Sequence, residues 1–273
     1  MEGWKEDFVQ VHGLRLHVIR TGSGGKPVLF LLHGLTDNGR YWSRTAAALE
    51  DMYDVVMLDQ RGHGLSDRPV SGYRDEDLAV DAAAVIQTLD LAPAAVLGHS
   101  MGGAVTIVLA DAHPGLVSRA LLLDPALLHV KNADAEHYRQ RRQEWYKRNL
   151  EAKKLSEEEL ARRCIAQHPA WAPEDCRYWA ESNLQVYPEA IVQFNVQHPW
   201  QDTIPQIQCP TLLIHGEKAR GSIVDDALAA DIMRHAPNVK VAPIANAGHS
   251  PQRDQFPAYI AAVRAFLSEP PRD

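Results

Sequence analysis

Four short apolar runs are interleaved with helical stretches: "PVLFLL" at 27–32, "DVVML" at 54–58, "AAVLG" at 94–98 and "VSRALLLD" at 117–124. An apolar run without polar alternation predicts a strand buried on both faces. Between these runs, 40–49, 75–91 and 101–113 carry helical spacing, and the second starts among carboxylates that suit a helix N-terminus. Such alternation predicts an α/β fold with a parallel sheet and crossover helices. An alternating hairpin pattern at 7–20, around His12-Gly13, precedes it.

The alternation lapses from about 127 to 205, where the chain is helix-rich, charged and aromatic. It resumes with "TLLIHG" at 211–216, a helix at 224–235, a strand at 238–244 and an amphipathic helix at 255–267. The expected organisation is a core of 1–126 and 206–273. The segment 127–205 would form a helical cap over the sheet's C-terminal edge, where α/β folds place ligand sites.

Bulk properties narrow the function. A net charge of −7 over 273 residues argues against nucleic-acid binding, which needs clustered Lys and Arg. The basic run 139–142 is offset by Glu144, Glu151 and Glu157–Glu159 and predicts a solvated helix face. No run of about 20 apolar residues suggests a membrane span, and "MEGWKEDF" lacks the apolar core of a secretory signal. Cys164, Cys176 and Cys209 are odd in number and widely spaced. They are expected to be unpaired structural residues in a reducing, cytoplasmic setting. Thirteen histidines include no HExxH or Cys/His ligand spacing, so no metal site is expected.

The chemistry concentrates at three loops. "LGHSMGG" (97–103) places G-x-S-x-G where a strand meets a helix, a turn tight enough to lift the Ser100 hydroxyl clear as a nucleophile. Attack on a carbonyl needs donors for the oxyanion. The Met101 amide at the helix head is one, and "LLHGL" (31–35) brings the Leu35 amide as the other. "IANAGHSPQRDQF" (244–256) places His249 in a loop between the last strand and helix, suited to relay the serine proton. His33, His63 and His215 compete for that role, and His33 fits a loop-shaping role better.

Four separated segments, "LLHGL", "DQRGHGLSD" (59–67), "GHSMGG" and "AGHSPQRDQF", make the chain resemble α/β-hydrolase-fold proteins over nearly its whole length. The resemblance implies an eight-stranded, mostly parallel sheet, no metal and no organic cofactor. Within it "DQRGHGLSD" is a structural turn. A serine at 100 counts against relatives that form an alkyl-enzyme ester through Asp, such as haloalkane dehalogenases and epoxide hydrolases. The family order is nucleophile, acid, histidine, with the acid usually after the strand written here "TLLIHG". Three residues after Gly216, where a carboxylate is expected, stands Ala219.

A carboxylate elsewhere can serve if it reaches the imidazole N–H. Asp124 ends the strand after the nucleophile helix, and some relatives, haloalkane dehalogenases among them, carry their acid on that strand. Asp-Pro is also a common turn, and Glu217, Asp225 and Asp226 remain rivals, as does a site with no acid. Asp225 and Asp226 fit the start of a helix.

The expected function is a cytoplasmic serine hydrolase of the carboxylesterase type, with Ser100, Asp124 and His249 as triad and Leu35 and Met101 as oxyanion donors. Its partner would be a small, apolar ester, with no nucleic acid and no membrane. Trp145, Tyr146, Trp171 and Trp179 are candidate walls of an apolar pocket, and Tyr41 and Trp42 candidate lining on the acyl side. The alternatives are a C–C bond hydrolase or lactonase with the same triad, or a ligand-binding protein without catalysis.

Overall fold

The computed structural model describes residues 3–127 and 135–270. Eight strands form one sheet: β1 (Lys5–Val11), β2 (Leu14–Arg20), β3 (Val28–Leu32), β4 (Asp54–Leu58), β5 (Ala94–His99), β6 (Val117–Leu123), β7 (Thr211–His215) and β8 (Val239–Pro243). Their order is β1-β2-β4-β3-β5-β6-β7-β8. β2 pairs antiparallel with both β1 and β4, and the remaining pairs are parallel. The interleaved apolar runs thus form the sheet's centre.

Alternation within each run loads both faces. Phe30 and Leu32 of β3 join one core with Val85 of α2 (Asp75–Thr88) and Val105 of α3 (Met101–Ala112). Leu29 and Leu31 join the opposite core with Leu49 at the end of α1 (Ser43–Leu49) and with Trp42 just before it. Helix α2 stops at Thr88, short of the expected 91, because the chain turns through Asp90 at φ +52°.

Between β6 and β7 the described chain is helical: α4 (Ala135–Ala152), α5 (Glu157–Gln167), α6 (Pro173–Gln185), α7 (Pro188–Gln193) and α8 (Trp200–Thr203). Ser156 caps α5 through the Glu159 amide, a common helix-start device. α5 and α6 share a small core of Leu160, Ala161 and Ala180. The basic run lies along exposed α4, where Arg142 turns in to donate to the Phe194 carbonyl at 2.9 Å. The buried Asp75 carboxylate accepts from the Gln197 amide at 3.2 Å and ties this segment to α2.

Cys164 of α5 and Cys176 of α6 form a disulfide, which corrects the expectation of three unpaired cysteines. The packing of two antiparallel helices brings the pair together, and sequence spacing does not show that packing. The cysteine argument for a reducing compartment lapses with it, while Cys209 stays free. After β7 come α9 (Asp226–His235), α10 (Pro251–Asp254) and α11 (Phe256–Leu267); Tyr259 and Val263 of α11 complete the second core. Among the described residues no helix is long and apolar enough to cross a membrane.

Candidate active site

The turn from β5 into α3 holds Ser100 at φ +51° and ψ −112°, a strained conformation for a residue with a side chain. Close packing explains the flanking glycines. A Cβ on Gly98 would stand 2.0 Å from the Gly102 carbonyl oxygen, and one on Gly102 2.1 Å from that of Leu32. The Gly102 amide donates to the His33 carbonyl at 3.1 Å, which pins the helix head against the loop after β3. In that loop the Leu35 carbonyl lies 2.8 Å from His63 Nε2. Neither the Leu35 nor the Met101 amide donates to another described residue, so both remain available to an oxyanion.

His249 stands in the loop between β8 and α10, held where the Gly248 amide donates to Asp254 at 2.7 Å. Its Nδ1 meets Asp124 Oδ2 at 2.6 Å, which leaves Nε2 for other partners. Asp124, at the end of β6, is fully buried, with φ +39°. Its Oδ1 accepts from the Ser222 hydroxyl at 2.7 Å and the Val224 amide at 2.9 Å; its Oδ2 also accepts from the Ile223 amide at 2.8 Å. The loop after β7, where a carboxylate was expected at 219, instead supplies donors to a carboxylate from the neighbouring strand. Ser222 in turn accepts from the Gly216 amide at 3.1 Å.

The rival carboxylates are elsewhere. Asp225 caps α9 through the Leu228 amide at 2.9 Å. Asp226 is 93% exposed. Exposed Glu217 accepts from the Asn246 amide at 2.7 Å and from Arg220.

The rival histidines are committed too. Buried His33 places Nδ1 2.8 Å from the Gly34 carbonyl and accepts the Gln60 amide at Nε2. Burial, with His63 nearby, lowers its pKa to about 3. Burial also lowers the pKa of His63. His215 places Nδ1 2.8 Å from the Gly216 carbonyl, away from the cavity.

His99, which sequence reasoning passed over, braces the His249 loop. Its Nε2–H donates to the His249 carbonyl at 2.8 Å, so its Nδ1 accepts the Tyr41 hydroxyl at 3.0 Å. Burial, reinforced by the nearby His249, keeps this imidazole neutral, and neutrality preserves that one-way chain of donors.

Ser100 and His249 open on a cavity of about 1000 Å³, whose walls include Leu35 and, from the helical segment, Trp145, Trp171 and Trp179. No hydrogen bond joins Ser100 Oγ to His249 here; such contacts often tighten only around substrate. Three expectations need correction. Tyr146 does not line the cavity. Tyr41 and Trp42 are buried beneath the site, where Tyr41 serves His99. The wall is not purely apolar, because five cationic side chains line it beside the tryptophans. Helix α4 borders the cavity with exposed Lys147 and Arg148 as well as Trp145, and only the packing reveals which flank does so. Among the described residues, no cluster of three or more His, Cys, Asp or Glu side chains is arranged to hold a metal ion.

The fold defines a class, and comparison with known proteins agrees. The family described as alpha/beta hydrolase fold matches residues 27–255. N-formylmaleamate deformylase of Pseudomonas putida is 30% identical, covering 96% of both chains. Epoxide hydrolase 1 of Caenorhabditis elegans is 27% identical over 98% of this chain and 72% of its own. The crystal structure of E-2-(acetamidomethylene)succinate hydrolase superposes with a TM-score of 0.82 at 23% identity, over 97% of this chain and all of that one. The chain belongs to the α/β-hydrolase fold family and is a hydrolase.

Proposed function

We propose that the protein cleaves a carboxylic ester through an acyl-enzyme on Ser100. The observation that carries the reading is the buried Asp124 carboxylate, fixed by three donors and bonded to His249 Nδ1 at 2.6 Å. That bond holds the proton on Nδ1, leaves Nε2 as the base, and stabilises the imidazolium that forms when Ser100 Oγ gives up its proton. The oxyanion of the tetrahedral intermediate takes hydrogen bonds from the Leu35 and Met101 amides. Collapse expels the alkoxide, which leaves as the alcohol with the proton from His249. Water, deprotonated by the same imidazole, then releases the acid and frees Ser100. The segment expected at 127–205, of which 128–134 lie outside the described residues, acts as a cap, since its Trp145, Trp171 and Trp179 share the cavity with Ser100.

Lactones fit the same chemistry, because the same acyl–oxygen bond breaks. An alkyl-enzyme ester does not, since Ser100 offers no carboxylate. A fluorophosphonate probe tests the reading. It should label the native protein at Ser100, and Ser100→Ala should lose both labelling and hydrolysis of p-nitrophenyl esters while keeping its circular dichroism. A folded native protein that neither reacts with the probe nor turns over esters or lactones would overturn the proposal.

A further inference from the structure

Four residues after His249, Arg253 is only 3% exposed, yet it lines the cavity that holds Ser100. Its guanidinium lies between two aromatic rings, 4.0 Å from the Tyr41 centroid and 4.7 Å from that of Trp171. Trp171 is itself fixed by a 2.7 Å hydrogen bond to Asp254. Stacking of this kind orients a guanidinium plane without using its N–H groups. Arg253 Nε and Nη2 have no hydrogen-bond acceptor among the described residues. The nearest carboxylate, Asp37, stands 3.7 Å from Nη2, near enough to share charge and too far for a hydrogen bond.

A buried cation with unused donors is costly to leave unpaired, and the rest of the cavity deepens the imbalance. Lys147, Arg148, Lys154 and Arg163 line its helical wall against one carboxylate there, Glu151. Lys154 pairs with Glu151 and Arg163 with Glu159, which lies off the cavity. In a chain of net charge −7, the cavity beside the nucleophile is cationic.

We propose that the substrate is an ester whose acyl part carries a second carboxylate, recognised by Arg253 and drawn in by the cationic wall. The inference rests on the esterase reading of Ser100 and replaces the expectation of an apolar substrate. A planar carboxylate matches the guanidinium fork, which can donate two parallel hydrogen bonds. The scissile carbonyl would then sit a few bonds away, at Ser100.

The test compares p-nitrophenyl hemiglutarate with p-nitrophenyl pentanoate, which share acyl length and leaving group and differ in charge. The native protein should favour the hemiglutarate by at least tenfold in kcat/KM, with the preference falling as salt screens the wall. Arg253→Gln should bring the ratio near one, and Arg253→Lys, which keeps charge without the fork, should fall between. A binding arm uses folded Ser100→Ala, which should bind glutarate more tightly than glutaramide by calorimetry and lose that difference in Ser100→Ala with Arg253→Gln. Active esterase with no charge preference would overturn this inference alone. Glutarate binding through Arg253 without any hydrolysis would overturn the esterase reading and leave the anion site standing.

Discussion

Replacing Asp124 by Asn exchanges one oxygen for an amide nitrogen, and the hydrogen bonds around the carboxylate set the consequence. Oδ1 accepts from Ser222 Oγ and Val224 N; Oδ2 accepts from Ile223 N and His249 Nδ1. With the new NH2 on the Oδ1 side, it faces the Val224 N–H and one buried amide loses its acceptor. On the Oδ2 side it faces the Ile223 N–H and makes His249 Nδ1 an acceptor, which moves the imidazole proton to Nε2 and removes the base. Either way an amide is left unpaired, at roughly 1–3 kcal/mol of stability, and the charge that stabilises the imidazolium is gone. In serine proteases the equivalent exchange costs on the order of 10⁴ in kcat. The loss expected here is at least about 100-fold, equivalent to ~2.7 kcal/mol of transition-state stabilisation. The assay is kcat/KM on an activated ester with a parallel urea melt, so that lost activity is read only on folded protein. Asp225→Asn is the control and should stay within about tenfold of native, since Asn caps a helix as well as Asp does. Adding Ala219→Asp to Asp124→Asn should leave activity low, because Ala219 is exposed on the turn Lys218–Arg220. A folded Asp124→Asn within about tenfold of native activity would refute the argument.

Ser222→Ala removes a 2.7 Å bond to Asp124 and the acceptor of the Gly216 amide; kcat should fall about tenfold, consistent with ~1.5–3 kcal/mol for a bond to a charged group, while KM changes little. An equal change in KM with kcat intact would argue against a role in orienting the acid. Asp75 concerns stability: burial pushes its carboxyl up to about 6. As pH rises from about 4 the unfolded chain releases this proton first, so the stability the group contributes is lost as pH passes through 6, by roughly 2–3 kcal/mol. Asp75→Asn should therefore gain stability relative to native at pH 7.5 compared with pH 4.5, measured by urea melts; parallel curves would remove Asp75 from that role. The Cys164–Cys176 bridge closes a loop with a separation of 12 residues, which corresponds to ~3 kcal/mol of chain entropy. Cys164→Ser with Cys176→Ser should raise proteolytic nicking within 135–185 while β-sheet circular dichroism persists.

Local pattern alone carried the sheet, the two-sided burial of β3–β7, the elbow at Ser100 and the loop position of His249. Each depends on periodicity, glycine or strand ends over a few residues, and such short-range regularities survive in one dimension. The triad acid was only half legible. The sequence shows a missing carboxylate at Ala219 and a candidate at Asp124. The donors from Ser222, Ile223 and Val224 that fix the candidate lie about 100 residues away, and only the pairing of β6 beside β7 brings them to it. Long-range packing likewise decided the Cys164–Cys176 bridge, the burial of Tyr41 and Trp42, and the cationic cavity. Arg253 stood in plain view in "AGHSPQRDQF", four residues after His249. That its guanidinium is stacked, buried and short of acceptors is a property of Tyr41, Trp171 and Asp37, which the chain brings to it from 82 to 216 positions away. Periodicity along a chain encodes which face of an element is buried, whereas the partners of a buried charge are set by contacts between elements, and those exist only once the sheet and helices have packed.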